Sequence, residues 1–305
     1  MNGEKGNMEK KYNDRRPRND RNSNGAKRYA DGRNNGDRRD RYRDNTSDDR
    51  EFFDMNTESE DEGIVVGRNA VRELLKSGRD IDKIFVQRGE REGSIVVLAA
   101  QATERNIPLV EVDKVKLDKM TAGANHQGIV AMAAQKQYCT VEDILAIAAE
   151  RGEKPLIVIS DGITDPYNLG ALIRCAEGAG AHGIIIPKRR AVGLTPAVTK
   201  SSAGAIEHMA IAKVANIAST VEMLKKNGVW VFSAEAGGDA YYDTDFCCAA
   251  AIVFGSEGNG VSQIVKEKSD YITSIPMYGK VNSLNVSTAA AVILSEVARQ
   301  QRAKK

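Results

Sequence analysis

The segment LIVISDGITDPYNLGALIRCAEGAG, residues 156–180, decides the fold class of this 305-residue chain. It opens with a short, continuous apolar run, which is typical of a parallel strand buried on both faces. In the polar loop that follows, Pro166 fixes the backbone and Asn168 is a candidate cap for the next helix. The order strand, loop and helix is the repeating unit of an α/β sheet.

The same alternation continues toward the C-terminus. Strands are predicted over GIIIP (183–187), VWVFSAE (229–235), AAIVFG (250–255) and YITSIP (271–276). Helices are predicted near residues 215–226, 262–268 and 287–302. Together these elements predict a doubly wound parallel sheet over residues 154–305, with ligands at the carboxyl ends of its strands.

A smaller α/β domain is predicted upstream, over residues 63–137. RNAVRELLKSG (68–78) places Val71, Leu74 and Leu75 on one helical face. A second helix is expected over 94–106, and strands over KIFVQ (83–87), PLVEV (108–112) and GIVAMAA (128–134). Residues 138–153, which include the helix-like VEDILAIAAERG, are interpreted as a linker.

The first 62 residues have an unusual composition. Residues 1–43 hold 14 Lys or Arg against 7 Asp or Glu, whereas residues 44–62 hold 9 acids and one base. With ten hydrophobic residues in 62, this charged tail is expected to be disordered. Its arginines, interleaved with Tyr12, Tyr29 and Tyr42, suit loose contact with RNA, and a solubilising tail without a partner is the open alternative.

The overall composition excludes several classes of protein. A net charge of +2 gives no sign of general polyanion binding, and no apolar run is long enough for a membrane span or a secretory signal. Four cysteines without a C-x-x-C pair and three histidines predict neither a disulfide framework nor a metal site. We therefore expect a cytoplasmic protein without metal or membrane partners.

One sequence match to a known motif is not interpreted as functional. Gly178, Gly180 and Gly183 satisfy G-x-G-x-x-G, the fingerprint of dinucleotide-binding loops. They follow a predicted helix and enter a strand, which is the reverse of the context that the fingerprint requires. We interpret them as a helix end and a turn.

Three loops that follow strands carry the candidate chemistry, and each also has a purely structural interpretation. In residues 161–176, Asn168 could be a helix cap and Arg174 a solvated helix residue. In residues 252–262, Glu257 lies among glycines that permit close approach to the main chain, although a plain turn is possible. In residues 275–291, Ser283 and Asn285 bracket Leu284 at a helix start.

Taken together and in this order, DPYNLGALIR, FGSEGNG and SLNVS resemble the three motifs of the SpoU/TrmH branch of the SPOUT, or α/β-knot, methyltransferases. GRNAVRELLKSG and HQGIVA resemble the small substrate-binding domain, similar to ribosomal protein L30e, that precedes the knot in many members. The resemblance implies a deep trefoil knot, an obligate homodimer and S-adenosylmethionine as cofactor. Thr288 stands where Val is common, and the charged tail has no counterpart in the family pattern.

The resemblance also implies roles for individual residues. Cofactor contacts fall on Gly255, Ile275, Leu284, Met277 and Gly279. Catalytic or supporting roles fall on Arg174, Asn168, Glu257, Ser283 and Asn285. Arg174 would activate the ribose hydroxyl, either as a literal base, which suits arginine poorly, or by stabilising the developing alkoxide beside an RNA phosphate.

The implied function is 2'-O-methylation of RNA ribose, and the arrangement most resembles the type that modifies a guanosine of 23S ribosomal RNA. The catalytic motifs equally allow a transfer RNA target. An RNA-binding assembly factor that has kept the fold without activity is the alternative of another class. Lys188, Arg189, Arg190 and Lys200 could contact phosphates or be solvated charges, and His126 and His208 are interpreted as structural.

Overall fold

The computed structural model of the chain describes residues 63–89 and 93–302. The expected disorder of residues 1–62 lies outside the described residues. The strands are β1 Ile64–Val66, β2 Ile81–Gln87, β3 Leu109–Val112, β4 Ile129–Ala133, β5 Leu156–Asp161, β6 Gly183–Pro187, β7 Ala210–Val214, β8 Trp230–Ala240, β9 Ala250–Gly255 and β10 Tyr271–Ser274. The helices are α1 Arg68–Ser77, α2 Ser94–Glu104, α3 Lys114–Met120, α4 Val141–Glu150, α5 Pro166–Gly178, α6 Pro196–Ser201, α7 Ile217–Lys226, α8 Gln263–Lys268 and α9 Val286–Arg302.

Six strands form a parallel sheet in the order β10-β8-β9-β5-β6-β7. This confirms the predicted parallel sheet and five of its strands. Strand β7 was missed by the sequence analysis. Its sequence AIAKV lacks a continuous run of large apolar residues, which was the pattern used to predict the other strands.

Helices cover both faces of this sheet. Along β5, Leu156 and Val158 belong to one core with residues of α5 and α9, whereas Ile157 and Ile159 belong to a second core with residues of α4, α7 and α8. Alternate residues of a strand point to opposite faces, so a run of apolar residues requires apolar partners on both sides. The continuous run at residues 156–160 therefore reflects burial between two helical layers.

The strand order places β5 beside β9, and the chain winds away from this pair in both directions. Asp161 at the end of β5 pairs with Gly255 at the end of β9. Ligands of open parallel sheets bind at the carboxyl ends of strands near such a reversal of strand order. The loops after β5 and β9 are thus positioned to share a site.

A second sheet has four strands in the order β1-β4-β2-β3. Strand β4 runs antiparallel to β1 and β2, and β2 runs parallel to β3. Its main core packs α1 and α2 on the sheet through Leu74, Leu75, Ile84 and Leu98, which are all buried. The domain boundaries at residues 137 and 154, the likeness to ribosomal protein L30e and the knot stay predictions.

A buried ion pair connects the residues around the smaller sheet with those around the larger sheet. Arg79, after α1, donates through Nη1 to both carboxylate oxygens of Glu207, at 3.0 and 3.1 Å. Lys136, after β4, donates to the main-chain oxygen of Glu207 at 3.2 Å. The Glu207 side chain is 1% exposed and that of Arg79 is 14% exposed, so the pair is shielded from water.

The discarded glycine motif has the predicted structural role. Gly178 ends α5, and Gly180 has a φ of +74°, a left-handed conformation that glycine adopts without strain. Gly183 begins β6, where a Cβ would meet the Ile144 side chain. These glycines end a helix and allow close packing against the next strand.

Two absences concern the described part of the chain. No helix within residues 63–89 and 93–302 is both long and apolar enough to cross a bilayer. The same residues contain no group of three or more His, Cys, Asp or Glu side chains that could hold a metal ion.

Candidate active site

A cavity of about 700 Å³ lies at the carboxyl ends of β9 and β10, beside the middle of β8 and the start of α9. Its walls come from the loops after β9 and β10 together with residues of β8 and α9. Its lining includes Glu235, Phe254, Gly255, Ser256, Glu257, Gly258, Gly260, Thr273, Ser274, Ile275, Met277, Asn282, Ser283, Leu284 and Asn285. The volume is within the range of small-molecule sites, and the walls combine main chain, apolar and polar groups as such sites do.

Asn168 lies in the first turn of α5 and is not its cap. The N-cap of α5 is Asp165, whose carboxylate accepts a hydrogen bond from the Tyr167 main-chain nitrogen at 3.0 Å. The suggestion that Asn168 caps the helix was therefore wrong. Pro166 occupies the first helical turn, where a missing N–H costs nothing, so the cap falls one residue before it.

Three side chains form a hydrogen-bonded network at the edge of the cavity. Asn168 Nδ2 donates to Glu257 Oε1 at 2.8 Å, and Asn285 Nδ2 donates to the same oxygen at 2.7 Å. Asn285 Nδ2 also lies 3.0 Å from Asn168 Oδ1. The network ties together the loops after β5, β9 and β10. It confirms none of the assigned roles, but it brings three of the predicted site residues into contact.

The network has a fixed orientation. Asn285 Oδ1 accepts hydrogen bonds from the main-chain nitrogen and the hydroxyl of Ser287, at 2.9 and 2.6 Å, which directs its amide nitrogen toward Glu257. Asn168 is 7% exposed. Both amide nitrogens are therefore held at one oxygen of the Glu257 carboxylate.

A second, smaller cavity of about 160 Å³ lies on the other side of this network. It is lined by the loop after β5, and it shares Ser256 and Glu257 with the larger cavity. Asn168 lines the smaller one. Glu257 therefore separates two adjoining spaces, and a group bound in either of them lies beside the carboxylate.

Four of the five predicted cofactor contacts line the larger cavity: Gly255, Ile275, Met277 and Leu284. Gly279 is not among the lining residues. Leu284 and Met277 are 39% and 37% exposed, so these apolar side chains face open space from the cavity wall. At Gly255 a Cβ would overlap the backbone of Gly260 and Val261. Only glycine fits where these two loop segments meet.

Arg174 is not brought to this cavity within one chain. It lies six residues after Asn168 on α5, about 9 Å further along the axis and about 120° around it. The residue is exposed, and its guanidinium makes no hydrogen bond or ion pair with the residues that the structure describes. It lines neither of the two adjoining cavities. Its role therefore stays a prediction, and the structure leaves its cationic group turned outward.

Several lining residues were missed by the sequence analysis. Glu235, near the middle of β8, accepts a hydrogen bond from the Val261 main-chain nitrogen at 2.9 Å and lies 3.8 Å from Lys266 Nζ. Thr273 and Ser274, at the end of β10, also line the cavity. The general position of ligands at strand ends could have indicated all three, because they lie in or near the ends of predicted strands.

Gly255→Ala tests the shape of the cavity. We expect a distorted contact with the loop at Gly260 and a loss in cofactor affinity of about fivefold to 10²-fold, since overpacking costs about 1–3 kcal/mol. Isothermal titration measures the affinity, and circular dichroism checks the fold. Gly178→Ala is the matched control, because a Cβ there meets nothing within 4 Å. Equal affinities for both variants would contradict the tight fit at Gly255.

Glu257→Ala tests the network. The variant removes the acceptor shared by Asn168 and Asn285, so we expect kcat to fall by up to about 10²-fold through misplacement of the reacting groups. Glu257→Gln retains one oxygen acceptor, so its kcat should fall less than that of Glu257→Ala. Glu177→Ala removes an exposed carboxylate from α5 and serves as the control. Unchanged kcat for Glu257→Ala would show that the network is dispensable.

Comparisons with known proteins identify the family of the chain. A family model described as the SpoU rRNA Methylase family matches residues 155–295. A second, described as RNA 2'-O ribose methyltransferase substrate binding, matches residues 64–139. Among solved structures, the SpoU methyltransferase AviRb from Streptomyces viridochromogenes, in complex with AdoMet, superposes with a TM-score of 0.65. At 23% identity, over 79% of this chain and 90% of AviRb, it shows a common fold.

Closer relatives share most of the chain. YacO of Bacillus subtilis (strain 168), assigned to the TrmH family of tRNA/rRNA methyltransferases, is 42% identical over 244 residues, which are 80% of this chain and 98% of YacO. A protein with the same family assignment from Staphylococcus haemolyticus (strain JCSC1435) is 42% identical over 78% of this chain and 96% of its own length. The chain belongs to the SpoU/TrmH family of RNA methyltransferases.

Proposed function

We propose that this chain transfers a methyl group from S-adenosylmethionine to the 2'-hydroxyl of a ribose in RNA. The observation that carries the proposal is the cavity between the loops after β9 and β10, with the Asn168, Glu257 and Asn285 network at its edge. Family membership supports RNA methylation, and the match of residues 64–139 to a substrate-binding model of RNA 2'-O ribose methyltransferases supports the ribose as acceptor.

The residues of the cavity fit the proposed cofactor. Gly255 lets the main chain approach a ligand, while Ile275 and Leu284 offer apolar contacts for an adenine ring. Glu235 and Glu257 place carboxylates in the wall, which suits a cation. S-adenosylmethionine, when bound, supplies an electrophilic methyl on a sulfonium and a thioether as leaving group.

The acceptor hydroxyl must lose its proton as the new bond to carbon forms. Arginine stays protonated in proteins, so Arg174 is better suited to bind the RNA phosphate beside the acceptor and to stabilise the developing negative charge on oxygen. The proton then leaves to that phosphate or to water. In this proposal Asn168, Glu257, Ser283 and Asn285 position the loops around the reacting groups.

We also propose that the enzyme is a homodimer in which Arg174 acts in the cavity of the partner subunit. The outward position of Arg174, away from the cavity of its own chain, supports this arrangement. So does the exposure of the apolar side chains Met277, Val281 and Leu284 on the loop between β10 and α9, which a partner could cover. Sedimentation equilibrium tests the dimer.

A guanosine of 23S ribosomal RNA is the proposed target. The family assignment of the relatives covers both tRNA and rRNA, so a transfer RNA loop is the second candidate. The target is tested by mapping 2'-O-methyl sites in ribosomal and transfer RNA from a strain in which the gene for this protein is deleted. Loss of one site in 23S RNA is expected, and loss of a site in transfer RNA would overturn this part of the proposal.

Isothermal titration with S-adenosylmethionine tests the function before any substrate is known. We expect saturable binding with one site per chain. A chain that binds RNA without binding S-adenosylmethionine would instead behave as an assembly factor that kept the fold. That result would contradict the proposed catalysis.

A further inference from the structure

A cavity of about 440 Å³ in the smaller sheet is separate from the candidate active site. It opens at the carboxyl ends of the parallel strands β2 and β3, where ligands of parallel strands bind. Its lining consists of Arg68, Gln87, Arg88, Ile95, Lys114, Asp118, Asn125, His126, Gln127 and Gly128. These residues come from the end of β2 and the residue after it, from α1, α2 and α3, and from the loop before β4.

Among the described residues that line this cavity, cationic side chains outnumber carboxylates, so the net charge of the lining is positive. Arg68, Arg88 and Lys114 line it. Asp118, the one acid among the described residues of the lining, has its Oδ1 3.1 Å from His126 Nε2. Arg88 has an exposed pairing with Asp113 at 3.4 Å, which is weak in water. The cavity therefore attracts an anion.

The amide side chains add hydrogen-bonding capacity. Gln87 makes no side-chain hydrogen bond to the residues that the structure describes, and its amide can both donate and accept. Asn125 and Gln127 also line the cavity, and Gln127 Oε1 accepts a hydrogen bond from the Arg68 main-chain nitrogen at 3.1 Å. Such amides recognise the edges of nucleobases.

The loop that carries these groups is held in a fixed shape. Gln127 has a φ of +52°, which is uncommon for a residue with a side chain, and Gly128 has a φ of +81°. His126 Nδ1 accepts a hydrogen bond from the Gly128 main-chain nitrogen at 3.0 Å. A Cβ at Gly128 would lie 3.1 Å from the Ile95 side chain. Strain of this kind persists where the surroundings impose it and is concentrated at binding sites.

We propose that this cavity binds one unpaired nucleotide of the RNA substrate, at a distance from the methylated ribose. Its phosphate lies among Arg68, Arg88 and Lys114, its base edge meets the amides, and Ile95 contacts the base. The inference rests on the proposed function, which supplies RNA as the substrate. It deepens that function by assigning loop recognition to named residues of the smaller sheet.

The test uses the full chain and two fluorescein-labelled RNAs of equal length, a hairpin with ten unpaired loop nucleotides of mixed sequence and a closed duplex. Arg88→Gln with Lys114→Gln should weaken hairpin binding at least about tenfold and reduce the salt slope by about 1.4. Lys116→Gln with Lys119→Gln removes the same charge from exposed positions outside the cavity and is the matched control.

The amide contribution has its own variant. Gln87→Ala should reduce the preference for the hairpin over the duplex while leaving duplex affinity unchanged. Equal losses in the two double variants, or an unchanged hairpin preference in Gln87→Ala, would overturn the nucleotide site. S-adenosylmethionine affinity is measured on every variant. If the wild-type chain fails to bind this cofactor, the proposed function fails separately from the nucleotide site.

Discussion

The Arg174→Ala variant is expected to lose about 10²–10³-fold or more in kcat for methyl transfer, the range found when a single stabilising donor is removed from an active site. Affinity for S-adenosylmethionine should stay unchanged, because Arg174 does not line the cavity of its own chain. Transfer of radiolabelled methyl groups to RNA from a deletion strain measures the rate, and isothermal titration measures the affinity.

Two controls sharpen this prediction. Arg151→Ala removes an exposed arginine at the end of α4 and should leave the rate unchanged. Arg174→Lys retains the charge but loses the planar group, so it should restore part of the rate. Full turnover by Arg174→Ala would refute the assignment of this residue.

Mixing two impaired variants tests which subunit supplies Arg174. In a heterodimer, the Arg174→Ala subunit keeps the intact network and the Glu257→Ala subunit keeps the arginine. If Arg174 acts across the interface, these two groups meet in one of the two cavities. An equal mixture that exchanges subunits should then recover about a quarter of wild-type activity. If Arg174 acts in its own chain, the mixture stays as inactive as the two separate variants.

Arg79→Ala should destabilise the fold by about 3–5 kcal/mol, because it leaves the buried Glu207 carboxylate without its ion-pair partner. Urea unfolding at neutral pH measures the loss. Lys76→Ala is the matched control, since it breaks an ion pair with Glu73 in which the lysine is 57% exposed, and such pairs contribute less than about 1 kcal/mol. Equal losses in the two variants would contradict a structural role for the buried pair.

The Arg79→Ala variant also has a predicted pH dependence. Burial raises the pKa of Glu207, and this effect outweighs the opposing charges of Arg79 and Lys136. A carboxyl whose pKa is raised in the folded state binds its proton more tightly there than in the unfolded chain, so acidification favours folding through this group. Without Arg79 the pKa rises further, and the stability difference from wild type should narrow as pH falls from 8 to 5. A difference that widens over this range would contradict the assignment of the loss to Glu207.

Much of the larger sheet could be predicted from sequence because its strands are buried on both faces. The runs of mainly apolar residues at 156–160, 183–187 and 250–255 are the direct consequence of that burial. Strand β7 was not predicted, because its sequence AIAKV contains too few large apolar residues to form such a run. Strand β10 lies at the opposite edge of the sheet and was predicted, so an edge position does not by itself decide whether a strand can be recognised from sequence.

Part of the membership of the site could be predicted from sequence, whereas its geometry could not. Asn168, Glu257 and Asn285 are distant in sequence, and only the pairing of β5 with β9 and the return of α9 bring their amides and carboxylate within hydrogen-bonding distance. Asp165 took the capping role assigned to Asn168, because a proline follows it. The direction in which Arg174 faces depends on the helical phase of α5 relative to the sheet, which no local pattern specifies.

Nucleoside analysis of the reaction product tests the central claim most directly. The chain is incubated with deuterated-methyl S-adenosylmethionine and RNA from a deletion strain, and the RNA is digested to nucleosides for mass spectrometry. The account predicts that the label appears in a 2'-O-methylnucleoside, and the expected nucleoside is 2'-O-methylguanosine. Label on a nucleobase, or no incorporation by a chain that binds S-adenosylmethionine, would contradict it.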